Sequence, residues 1–346
     1  MAYIIMKYDD LTTENLTAFS RVADFSIQGE YLVSMGLVGQ SLENDNALYK
    51  NKLKEWIKSD IEIWNHGYIH SSKEFSSEPY ERQRQSIWRT QRLMETELEQ
   101  AAMTFGSPHN NSTETTIRAL KDAAPEIRNY LFAVDGASVS DARQLLLRCD
   151  MEVTTGRIDV DFFKKNYEAL KDFPYMVIQG HPSFWSEQDF RRNEEIMRYL
   201  RDEGNIFVTP HSLPDCGFYK EADVRGEECI KELLEFARMH EKAAIYGAGE
   251  IGREMYRFLK AKSVSTAAFI VSDGQEINEQ EICSLPVMPL SEISGCIGEY
   301  GVIVGMMPKF HMEVEKALQR EKADYFCFCD KKRYMYLVHC VRMQLS

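Results

Sequence analysis

Over the first 210 residues, short apolar runs alternate with longer stretches in which apolar residues recur every three or four positions. The short runs fall at 3–8, 31–38, 61–64, 103–105, 130–134, 151–154, 175–179 and 206–209, and they predict strands. The stretches at 45–58, 78–99, 159–171 and 188–203 predict amphipathic helices. Such alternation predicts parallel strands joined by crossover helices, as an open doubly wound sheet or a (β/α) barrel.

The polar residues favour the barrel. Asp9-Asp10, His66, Gly106-Ser107-Pro108-His109, Asp135, His181-Pro182 and Pro210-His211 all follow predicted strands. A barrel brings those ends to one mouth, whereas an open sheet would hold the outermost ones too far apart. The expected fold is therefore α/β, a distorted (β/α) barrel over 1–215. A linker and helix would follow at 216–240, then a small Rossmann-like parallel-sheet domain over 241–346. That last domain would have strands at 267–271, 302–304 and 325–329 and helices at 250–261 and 309–321, with 331–346 adding a final strand.

Composition narrows the function classes. At 346 residues the chain has room for two domains. A net charge of −13 offers no basic stripe for nucleic acid. No run approaches 18 apolar residues, so no membrane span is expected, and the start is too short an apolar run for a signal peptide. The eight cysteines show no paired C-x-x-C spacing, which points to free thiols and a cytoplasmic location.

His66 and His70 are four residues apart after one strand, and Asp10 ends another. Two imidazoles within reach of one cation, with a carboxylate from a second strand, form an open metal site with room for water and substrate. Zinc is the default for such a set, although cobalt, nickel or manganese would take the same ligands.

In its motifs, the first domain resembles the polysaccharide deacetylases, the NodB-like carbohydrate esterases, over residues 1–215. Lys7-Tyr8-Asp9-Asp10, His66-Gly67-Tyr68-Ile69-His70-Ser71, Phe105-Gly106-Ser107-Pro108-His109 and Ile178-Gln179-Gly180-His181-Pro182 stand in that family's order. The resemblance implies Asp10, His66 and His70 as metal ligands, Asp9 as general base and His181 as general acid. It also implies an N-acetylated sugar as substrate, nucleotide- or carrier-linked, in surface polysaccharide metabolism. Backbone N–H groups around Asn110 would hold the oxyanion.

One departure stands out. The family's third motif has an arginine that orients the catalytic aspartate, and Gly106-Ser107 replaces it here; Arg157 is one candidate substitute. Hydrolysis of another carbon–nitrogen amide bond is a close variant. A non-catalytic metal- or sugar-nucleotide-binding protein with a degenerate site is the contrasting class.

Gly247-x-Gly249-x-x-Gly252 lies between a predicted strand and a predicted helix, with Asp273 ending the next strand. The glycines allow a tight turn and close approach of a phosphate to the helix N-terminus. This segment resembles the Rossmann-like domains attached to sugar acyltransferases, which implies a nucleotide or nucleotide-sugar ligand. An NAD-dependent redox enzyme centred on the same turn is the third class.

Overall fold

A computed structural model describes residues 1–131, 143–145, 147–215, 218–275, 280–328 and 330–345. The chain divides into two compact units, 1–216 and 217–346. Asp135 lies outside the described residues.

Unit 1 begins with strand β1 (Tyr3–Leu11), helix α1 (Leu16–Gln28), β2 (Ser34–Leu37), α2 (Ala47–Lys58), β3 (Glu62–Asn65) and α3 (Tyr80–Leu98). It continues through β4 (Thr104–Gly106), α4 (Glu114–Ala123), β5 (Asn129–Leu131), β6 (Arg143–Leu145), β7 (Arg148–Asp150), β8 (Glu152–Thr154) and β9 (Arg157–Ile158). It closes with α5 (Val160–Leu170), β10 (Tyr175–Gly180), α6 (Glu187–Asp202) and β11 (Ile206–Phe207).

Nine strands form one parallel sheet in the order β6-β5-β4-β3-β2-β1-β10-β7. The ninth, β11, pairs with the first residues of β1, and β2 with its last. Strands β1 and β10 are buried almost throughout, as parallel strands covered on both faces must be.

The sheet curls. Asn110, just beyond β4, donates from Nδ2 to Gln179 Oε1 on β10 at 3.3 Å. Four strand spacings separate β4 from β10, about 19 Å in a flat sheet. Closing that gap makes an incomplete barrel, since the edge strands β6 and β7 do not pair among the described residues.

The strand expected at 151–154 is not in this sheet. Arg148–Asp150 takes that place beside β10, and Glu152–Thr154 forms an antiparallel hairpin with β9. Gly156, with φ at 79°, makes the turn. Val153 is exposed, so the hairpin lacks the burial of a barrel strand.

Unit 2 contains α7 (Phe218–Met239), β12 (Lys242–Tyr246), α8 (Glu250–Ala261), β13 (Thr266–Val271), β14 (Glu281–Ile282), β15 (Leu285–Pro289) and α9 (Leu290–Ile293). It ends with β16 (Tyr300–Val304), α10 (His311–Arg320), β17 (Asp324–Phe326) and α11 (Lys331–Gln344). The sheet order is β14-β15-β13-β12-β16-β17, parallel except for the β14–β15 pair. The chain leaves β12 toward β13 and returns to its other side at β16. The switch point therefore lies between β12 and β16, where open sheets bind ligands.

Two expectations change here. The segment expected as linker and helix is α7, which packs on α11 inside this unit. The final segment is helix rather than strand: Tyr334 to Val341 are all buried. A helix apolar on every side has no helical period to reveal it, so its sequence mimics a buried strand.

Candidate metal centre

Adjacent residues of a strand point to opposite faces, so Asp9 and Asp10 should not serve one site. They do so because β1 shifts register against β2 between Tyr8 and Leu11, and Asp10 adopts a φ of 73°. Asn15 braces this turn, donating to the Asp10 carbonyl at 2.6 Å. Tyr8 points the other way and bonds Asn193 on α6.

His66 follows β3 and is 1% exposed. Its Nδ1 donates to the Gly106 carbonyl at 2.7 Å, which leaves the Nε2 lone pair directed at Asp10 Oδ1, 3.1 Å away. His70, at φ 55°, brings its Nε2 within 2.6 Å of the same oxygen. Buried Glu74 fixes the loop between them by accepting from the backbone N–H groups of Tyr68, Ile69 and Ser71.

The ligand atoms of Asp10, His66 and His70 lie within 4.8 Å of one another. Tetrahedral ligands with bonds near 2.0–2.1 Å stand about 3.3 Å apart, so the three atoms suit one cation. Without a proton or cation among them, their lone pairs repel. Burial alone would raise the Asp10 pKa, but the pull of His66 and His70, once they carry protons on Nε2, outweighs it and holds the carboxyl below its ordinary range. For His70, burial opposes charge and the Asp10 carboxylate overrides it, so its pKa rises.

Asp9 is 2% exposed and Lys7 not at all. Lys7 Nζ donates to Asp9 Oδ2 at 2.5 Å, and Gln179 Nε2 donates to the same oxygen at 2.6 Å. Residues 7 and 9 share a face of β1, and Lys7 is the register partner of Gln179. A cation thus stands beside Asp9 although the third-motif arginine is missing, and it comes from β1. Arg157 does not take that place: it is exposed on the β8–β9 hairpin. Burial outweighs the pull of Asp9 and lowers the Lys7 pKa. Asp9 Oδ1 is buried and accepts no hydrogen bond among the described residues. A buried acceptor left so costs about 1–3 kcal/mol, and it fits a site built to receive a donor.

His181 follows β10. Its Nδ1 donates to Glu152 Oε2 at 2.6 Å, and its backbone N–H donates to Oε1 at 2.9 Å. Trp185 Nε1 also donates to Oε1. Burial opposes the imidazolium, but Glu152 and Asp9 outweigh it and raise the His181 pKa. Gln179 Nε2 is 3.2 Å from His181 Nε2, so one amide links the imidazole to Asp9.

Lys7, Glu74, Glu152 and Gln179 were not singled out from the sequence. Lys7 left a signal, a lysine inside an apolar strand; Glu152 left none.

Three further expectations resolve differently. The Asn110 N–H donates to the Ser107 carbonyl, so it is not an oxyanion donor in this conformation. Its side-chain oxygen accepts from Lys7 instead. His109 is near the mouth, its ring 4.9 Å from that of His70. His211 is not, since its N–H donates to Glu62 at the amino end of β3.

A cavity of about 520 Å³ opens beside Asp10 and His70. Its wall includes Glu14, Asn15, Gln40, Asn44, Ile69 and Phe184 and, among the described residues, no lysine or arginine.

In unit 2, Gly247 has a φ of 116°, and a Cβ on Gly252 would sit 1.9 Å from the Gly247 carbonyl oxygen. A Cβ on Gly249 would meet nothing within 4 Å. The backbone is therefore open in front of the α8 N-terminus, where a phosphate would approach. Asp273 accepts from the Ser291 N–H at 2.9 Å.

No family model and no curated protein matches the chain. Solved structures do. One is the Xyl-CE4 domain of a multidomain xylanase from the hindgut metagenome of Trinervitermes trinervoides, with 14% identity and a TM-score of 0.45, covering 60% of this chain and 87% of that one. A family 4 acetyl xylan esterase from Clostridium thermocellum, solved with cobalt, has 16% identity and a TM-score of 0.44, with the same coverages. A CE4 family pseudoenzyme from Bacillus anthracis has 14% identity and a TM-score of 0.45, covering 60% and 63%. No described helix is long and apolar enough to cross a membrane.

Proposed function

We propose that unit 1 is a metal-dependent hydrolase of carbon–nitrogen bonds that removes acetyl groups from an N-acetylated sugar. The observation that carries this reading is the juxtaposition of the Asp10–His66–His70 cluster with Asp9 and His181 at one mouth.

Asp10, His66 and His70 would hold the divalent cation, with zinc the first choice. The cation would polarise the acetyl carbonyl and acidify water. Asp9 would supply the base: its unpartnered Oδ1 would take a proton from water brought to it, while Lys7 and Gln179 hold Oδ2. His181 supplies the acid, giving a proton from Nε2 to the departing nitrogen while Glu152 holds Nδ1. The neutral imidazole can accept from Gln179 at Nε2, so protonation there exchanges this bond for an outward-facing donor.

The cavity suits a sugar without phosphate, because no lysine or arginine lines it among the described residues. A nucleotide or other phosphate-bearing carrier would extend beyond it. The open backbone at Gly249, with Gly247 and Gly252, is proposed as a nucleotide or nucleotide-sugar site, in which Asp273, held by Ser291, would meet the ribose. The enzyme would work in the cytoplasm, where free cysteines such as Cys149 and Cys283 stay reduced.

The test is metal content and acetate release from a panel of N-acetylated sugars, for the wild type and a His66→Ala/His70→Ala variant. The expected result is about one divalent ion per chain with turnover, both lost in the variant. Trace metal in wild type under replete conditions would overturn the site. Bound metal without acetate release would mark a binding protein.

A further inference from the structure

His311 and Cys327 form a thiol–imidazole pair in unit 2. His311 opens α10, after β16, and Cys327 directly follows β17, the neighbouring strand. Both therefore lie at the carboxyl edge of the parallel sheet. The Cys327 Sγ is 3.4 Å from His311 Nδ1. His311 Nε2 is 2.8 Å from the Met306 carbonyl oxygen, a pure acceptor, so Nε2 carries the proton and donates. That bond fixes the tautomer and leaves the Nδ1 lone pair facing the thiol. Tyr334 packs edge-on against the ring at 4.4 Å and sets its plane. His311 is buried, while Cys327 is partly exposed at the edge of the core.

We propose that Cys327 is a reactive modification site, with His311 as its base, and that it exchanges with low-molecular-weight disulfides. Nδ1 takes the thiol proton and the thiolate sulfur attacks one sulfur of the disulfide. A new S–S bond forms to Cys327 as the old one breaks. The leaving thiolate carries away the electron pair and recovers the proton from the imidazolium, so no further oxidant is needed. An imidazole held against a thiol raises its reactivity through the thiolate fraction.

The site adjoins the glycine-rich turn. A Cβ on Gly247 would lie 3.4 Å from Met306 Cβ, and the Met306 carbonyl is the acceptor that orients His311. Two residues, His311 and Met306, thus link Cys327 to the turn.

Exposed Cys283 provides an internal reference. The protein is treated at pH 7 with 4,4′-dithiodipyridine, and the rate at each cysteine is read by peptide mass mapping. Cys327 is expected to exchange about tenfold faster than Cys283. His311→Gln keeps a donor near the Nε2 position, toward Met306, and removes the base; His311→Asn places its amide near Nδ1 and gives up the Met306 bond. Both are expected to slow Cys327 about tenfold and leave Cys283 unchanged. A wild-type Cys327 no faster than Cys283 overturns the proposal, even should neither variant fold. So does fast exchange that survives in His311→Gln and is lost only in His311→Asn, since the imidazole would then serve packing alone.

Discussion

The two sheets carry their candidate sites in the same place, on loops at the carboxyl ends of parallel strands, and build them in opposite ways. At the mouth of unit 1, left-handed backbone is adopted by Asp10, His70, His109 and Asn110. None of these four is a glycine, although Gly67 at the same mouth is also left-handed, and the conformation costs each of them roughly 1–3 kcal/mol. In unit 2 the corresponding turn gives its positive φ to Gly247 and leaves the space before Gly249 clear. One mouth keeps polar side chains at strained positions, as the proposed proton transfers require. The other leaves backbone uncovered, as the proposed phosphate ligand would require.

The comparison breaks most readily at Lys7. If unit 1 depends on buried charged side chains, Lys7→Met strands the Asp9 carboxylate without its cation. That should destabilise the unit by about 3–5 kcal/mol. Adding Asp9→Asn should recover much of the loss, because it removes the charge left behind. All four tryptophans (Trp56, Trp64, Trp88 and Trp185) lie in unit 1, so urea unfolding followed by tryptophan fluorescence reports on this unit alone. A cost below about 1 kcal/mol would mean the pair contributes like an exposed one.

Glycines offer the reciprocal test. Gly252→Ala forces a methyl against the Gly247 carbonyl oxygen and should cost about 1–3 kcal/mol. Gly249→Ala meets no neighbour and should cost under about 1 kcal/mol at this N-cap. Both losses should appear in far-UV circular dichroism with the tryptophan transition unmoved. Equal costs would mean that the turn is not built around the Gly247–Gly252 contact.

How much of this was legible in the sequence follows from distance along the chain. The Asp10–His66–His70 cluster was readable because each ligand sits in a short motif directly after an apolar strand. The curled parallel sheet was readable because alternating strands and helices constrain the topology. Glu152 was not, since its partner His181 is 29 residues away and nothing local marks an acid that will face an imidazole. Lys7 is two residues from Asp9, yet strand periodicity says only that they share a face. That the lysine pairs with the buried Asp9 needed the three-dimensional structure. The last helix was misread because its apolar run has no period, and β8 because the sheet position belonged to the three residues before it.

A last, pH-dependent effect tests whether unit 1's charges are tuned or merely satisfied. Burial pulls the His181 pKa down and the Glu152 carboxylate reverses this, leaving it above the ordinary 6.5. A histidine whose folded pKa is raised contributes stability that is complete below about 6.5 and fades as pH rises through the folded value. Glu152→Gln keeps the size and an acceptor but removes the charge. His181 should then titrate at lower pH by NMR, and the variant should be less stable by about 1 kcal/mol below pH 6.5. That gap should close as the wild-type imidazole loses its proton. A gap that stays constant with pH would assign Glu152 to holding the Trp185 indole and the His181 backbone, and the acid role of His181 would then lack its tuning partner.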